Sequence, residues 1–118
     1  MMCQYHKCQT RRTAEYNARG TLLSEGYSVF RVTERQGGIP NLFHLIAWRE
    51  DSGILFVRTG SSRMSAHSFN KQVERLSLYV RTSWFPGDVQ FWIAKGGEWD
   101  KYQILPGGAI PILEEESE

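Results

Sequence analysis

A chain of 118 residues with 41% hydrophobic and 13% aromatic content is long enough to bury one core, which excludes a disordered chain and points to a single domain. No apolar run approaches the roughly 20 residues of a membrane-spanning helix, and the opening MMCQYHKCQTRR lacks a signal peptide's apolar segment. The cytoplasm is therefore the expected compartment, and no membrane partner is expected.

The net charge of +1 is unevenly spread. Setting aside the acidic tail of Glu114, Glu115, Glu116 and Glu118 leaves 14 basic residues against nine acidic ones, a moderately basic body compatible with nucleic acid. Residues 1–12 read as an N-terminal extension, 13–113 as the domain and 114–118 as the tail. Cys3, His6 and Cys8 cluster in the extension. Structural zinc usually takes four ligands in two separated pairs, so three within six residues are read as a plain terminus.

Thr10 to Glu25 is predicted as a helix. Ala14, Ala18 and Leu22 recur at four-residue spacing, Leu23 widens the stripe, and Gly26 stands where a left-handed helix end favours glycine. Gly20 weakens the middle of this helix and is read as a mark of close packing. Tyr27 to Thr33 is predicted as a strand, followed by the glycine-rich loop Glu34 to Pro40, which lacks the spacing and lysine of a phosphate loop. Leu42 to Arg49 is the second strand, and its nearly unbroken apolar run predicts burial on both faces. A turn at Glu50 to Gly53 leads into the third strand, Ile54 to Thr59.

Ser68 to Val80 is predicted as a second helix with an apolar stripe of Phe69, Val73, Leu76 and Val80, capped by Ser65 or Ser68. Val89 to Ala94 and Trp99 to Leu105 form a hairpin around Gly96 and Gly97, and AIPIL is a short edge segment limited by Pro111. The order is α-β-β-β-α-β-β. It predicts an α/β (α+β) fold, a central mixed five-stranded sheet flanked by helices.

That order resembles the PD-(D/E)XK nuclease superfamily, the restriction-endonuclease-like fold, above all its archaeal Holliday-junction-resolvase-like branch. The resemblance spans Thr13 to Leu105. It is carried by Glu15 early in the first helix, the phrase EGYSVFRV, the glycine-rich loop, FHLIAW, ILFVRTGSSR and the terminal W-x-x-Y-x-I from Trp99 to Ile104. In active relatives the central phrases look like FDLIAW and ILFVQVKSSR, or the same with glutamate for glutamine.

The resemblance implies carboxylates holding Mg²⁺ and a lysine beside the attacked phosphate. Glu15 matches the helix glutamate. The aspartate position holds His44, or Asn41 if the register is set by Pro40; the second acid position holds Arg58 and the lysine position Gly60. Arginine cannot ligate Mg²⁺, so the site is read as degenerate, with no metal and no cofactor expected, and Mg²⁺ or Mn²⁺ relevant only to residual cleavage. Rescue would require Lys71 or Arg63 to reach inward, or Glu15 and His44 to share a softer metal.

His44 also reads as a hydrogen-bonded core residue, and Glu15 is expected to pair with Arg58 where the metal would have been. DNA, branched or duplex, is the expected partner. Arg11, Arg12, Arg19, Arg35, Arg63, Lys71 and Arg75 are the expected phosphate contacts, aided by the Ser61 and Ser62 hydroxyls. The alternative is a structural or regulatory role, as a homodimer or in a heterodimer with an active paralogue.

Overall fold

The computed structural model describes residues 11–32, 42–83 and 86–113. The elements run α1 (Arg11–Ser24), β1 (Ser28–Arg31), β2 (Leu45–Arg49), β3 (Ser52–Gly60), α2 (Ala66–Thr82), β4 (Gly87–Lys95), β5 (Glu98–Leu105) and β6 (Gly108–Ile112).

The α1 helix ends as its sequence requires. Gly26 takes φ +91°, the Tyr27 N–H donates to Leu22 O at 3.0 Å, and the Gly26 N–H donates to Leu23 O at 3.1 Å. These are the paired bonds of a left-handed helix stop, and Tyr27 packs against the cluster that holds Leu22. Ala14, Ala18 and Leu22 are fully buried, but Leu23 is 45% exposed, so the apolar stripe is narrower than predicted. Gly20 has nothing within 4 Å of where a Cβ would stand, which overturns the expectation of close packing there. At α2 the cap is Ser65, whose Oγ accepts from the Ser68 N–H at 3.0 Å.

The sheet has six strands in the order β1-β2-β3-β4-β5-β6, antiparallel except for the parallel pair β3 and β4 that α2 connects. The expected five become six because AIPIL pairs with β5, Gln103 opposite Ile110 and Tyr102 opposite Pro111. Proline is tolerated there because β6 lies at the edge of the sheet. Gly87 opens β4 under strong constraint, since a Cβ would stand 1.9 Å from Ile54 O on β3.

Two clusters form the core, one on each face of the sheet. Ala18 and Leu22 of α1 meet Leu45, Ala47, Leu55, Val57 and Trp92 on one face. On the other, Leu76 of α2 meets Leu42, Phe43, Val89, Phe91 and Ile104. A six-stranded sheet is about 24 Å across at ~4.8 Å per strand, roughly twice a helix diameter, so neither helix covers its whole face. The α2 side of β1 and β2 is therefore left partly bare, with Phe30 50% and Trp48 44% exposed. This corrects the expectation that the second strand is buried on both faces: it lies next to the edge, and only its α1 side is sealed.

Candidate functional site

Alternation along β3 separates the residues singled out from the sequence. Leu55 and Val57 face α1, so Arg58 and Gly60 face α2. The Arg58 Nε–H donates to Gln72 Oε1 of α2, and Nη1 donates to Leu42 O at 3.1 Å. Arg58 thus ties β3 to α2 and to the segment entering β2.

Gly60 is buried at the end of β3. A Cβ there would stand 2.6 Å from Met64 Cε and 2.9 Å from Ile93 Cδ1. The space a lysine stem would need is filled by apolar side chains.

Glu15 lies on the opposite face. It is 6% exposed, and its Oε2 accepts from Arg31 Nε–H of β1 at 2.6 Å. The expected pair of Glu15 with Arg58 is therefore corrected: the glutamate is neutralised by Arg31 of the neighbouring edge strand, and the Arg58 guanidinium is hydrogen-bonded to Gln72 of α2 and to Leu42 O. Arg31 was not singled out from sequence, where it reads as one polar residue in a short strand. The two-residue spacing that puts it on the face of Val29, toward α1, was the available signal.

His44 is 3% exposed, with Nδ1 2.9 Å from Thr59 Oγ1. The Thr59 backbone N–H donates to the same nitrogen at 3.0 Å. A backbone N–H can only donate, so Nδ1 is an acceptor, and the neutral ring carries its proton on Nε2. The Nδ1 lone pair is thereby committed to β3. Backbone bonds from Val32 N–H to His44 O and from His44 N–H to Val57 O, both 2.9 Å, anchor the residue between β1 and β3.

The remaining predicted contacts fall into separate places. Arg19 lines a groove of about 420 Å³ between α1 and β1, together with Glu15, Tyr16, Phe30 and Arg31. Ser61, Ser62 and Arg63 form the loop from β3 to α2, where the Arg63 N–H donates to Ser61 Oγ at 3.3 Å. Lys71 and Arg75 are exposed on the outer side of α2, away from the core; Lys71 does not reach inward. Arg11 and Arg12 stand in the first turn of α1. Arg35, Asn41, the acidic tail and the Cys3, His6 and Cys8 cluster lie outside the described residues.

Among the described residues no group of three His, Cys, Asp or Glu side chains comes together as a metal site would require. A hard cation such as Mg²⁺ needs several oxygen ligands, and this donor set does not fit one: among the described residues the one buried carboxylate, Glu15, is paired with Arg31, and the Arg58 guanidinium offers no oxygen ligand.

No protein-family model matches the chain, and no curated protein does. Among solved structures, the chain is similar to Archaeoglobus fulgidus Hjc, a Holliday junction resolvase from an archaeal hyperthermophile. The match has a TM-score of 0.50 and 13% identity, and covers 76% of this chain and 72% of that one. The fold is restriction-endonuclease-like. At that identity the likeness concerns the backbone, and within the restriction-endonuclease-like frame the side chains above define the site. No helix among the described residues is long and apolar enough to cross a membrane.

Proposed function

We propose that this chain binds the phosphate backbone of DNA on a nuclease scaffold without metal-dependent cleavage. The observation that carries the reading is that Arg58, where the resemblance expects the second acid, is bonded within the protein, and Gly60, where it expects the lysine, is packed beneath Met64 and Ile93. Cleavage needs a bound metal and a placed water, whereas affinity needs only cations against phosphates. The open groove between α1 and β1 supplies Arg19 beside the exposed ring of Tyr16, with Arg31 engaged by Glu15, and Arg63 adds a further exposed cation on the loop after β3.

The test is a gel-shift and cleavage assay on branched and linear DNA with Mg²⁺, Mn²⁺ or EDTA. Binding is expected to survive EDTA and to fall linearly as salt rises on logarithmic axes, with Arg19→Ala lowering the slope by about one. Metal-dependent cutting that vanishes in Glu15→Ala would overturn the reading.

A second reading rests on a different observation, the bare α2 side of β1 and β2. Phe30 and Trp48 are half exposed there, with Ile46 and Ile54 partly buried beside them, and aromatic residues are favoured as interface anchors. That face suits pairing with a second copy or with an active paralogue.

A further inference from the structure

The outer side of α2 carries a groove that the proposed DNA contact does not use. His67, Lys71, Arg75, Leu78 and Arg81 recur along the helix at steps of three and four, so they share one face. All five are exposed. Beside them stands the turn between β5 and β6, held to the helix by Arg81 Nη1–H donating to Pro106 O at 2.9 Å. Between helix and turn lies a space of about 740 Å³, a volume typical of a ligand site.

Three features of this groove define what would fill it. Its wall is largely apolar, formed by Val73, Leu78 and the Pro106 to Gly108 turn, with Leu78 50% exposed. Its rim is cationic through Lys71, Arg75 and Arg81, against Glu74 as the acidic member. Ser77 also lines it; that residue is 5% exposed, and its Oγ has no hydrogen-bond partner among the described residues. A buried hydroxyl left unpaired is costly, and an occupant with a carbonyl or carboxylate would relieve that cost.

Nucleic acid meets this chemistry poorly. A sugar-phosphate backbone offers little apolar surface to cover Val73 and Leu78, His67 is the one ring the groove offers to a base, and Glu74 repels phosphate. A polypeptide meets all three features: aliphatic side chains for the wall, carboxylates for the rim, and a main-chain carbonyl for Ser77. We propose that the groove between α2 and the β5–β6 turn docks an acidic segment of a partner protein through aliphatic anchors. Lys71 and Arg75, expected from sequence to face DNA, then serve partner recognition.

Fluorescence anisotropy of a fluorescein-labelled peptide built of leucine and glutamate, titrated with the full chain at low salt, tests this without DNA. Saturable binding is expected. It should weaken at least about tenfold in a Lys71→Glu, Arg75→Glu double variant and again in Leu78→Asp, and be absent for the same peptide with lysine in place of glutamate. These positions are exposed, and circular dichroism confirms that each variant is folded. Absent binding, equal binding of the lysine peptide, or affinity unchanged by the substitutions overturns the proposal. So does duplex DNA that displaces the peptide while the double variant loses DNA and peptide affinity by the same factor, which would give the groove to nucleic acid.

Discussion

Gly60 is packed against the ends of two apolar side chains at the close of β3. A lysine there must push the flexible tips of Met64 and Ile93 aside. Overpacking costs about 1–3 kcal/mol, so Gly60→Lys is expected to lose about 1 kcal/mol or more in urea unfolding. Adding Arg58→Glu removes the donors that satisfy Leu42 O and Gln72 Oε1 and should deepen the loss, not restore a site. The double variant is expected to be less stable and inert toward DNA with Mg²⁺. Mg²⁺-dependent cutting by a stable double variant would show instead that two side chains separate this chain from an enzyme. Glu15 behaves differently, because its carboxylate holds Arg31 away from any phosphate. In Glu15→Gln that guanidinium is released, and DNA affinity at low salt is expected to rise, with the salt slope steeper by about one in a gel shift.

At the scale of elements, two glycines make opposite predictions. Gly20 is exposed in the middle of α1 with open space at its Cβ, so Gly20→Ala is expected to raise stability by about 1 kcal/mol, read as a higher thermal midpoint. Gly87 faces backbone on β3, so Gly87→Ala must part β3 from β4 and is expected to destabilise by more than that in the same melt. Periodicity and caps made the elements legible: Ala14, Ala18 and Leu22 at four-residue spacing, Gly26 at the helix stop, and the pair Gly96 and Gly97, both at positive φ, in the β4–β5 hairpin. The site was legible only as positions. Which residue would neutralise Glu15 depended on β1 lying beside α1, and that Arg58 would turn to Gln72 depended on which face of β3 α2 covers. Neither is local information, so the predicted pair of Glu15 with Arg58 joined two residues that the sheet itself keeps apart.

The whole molecule is a sheet too wide for its helices. With α1 covering one part and α2 the other, the bare α2 side of β1 and β2 carries Phe30 and Trp48, while the α1 side of β5 and β6 carries Leu105, 39% exposed, and Ile110, 51% exposed. The first of these is the stronger candidate for burial against another chain, because its two aromatic side chains stand on adjacent paired strands, Phe30 opposite Ile46 and Trp48 opposite Ser28. A twofold interface there would seal the edge that leaves β2 half exposed, and would set two basic α1–β1 grooves on one assembly. Such an assembly engages twice as many phosphates, so its salt dependence is steeper than a monomer's. Sedimentation of the full chain over a concentration series is therefore expected to show a dimer, and a Phe30→Ser, Trp48→Ser variant a folded monomer whose DNA salt slope falls by about half. A dimer that persists in the variant would move the interface elsewhere. A monomer in both would leave this face to a different chain, and would leave each basic groove to bind DNA alone.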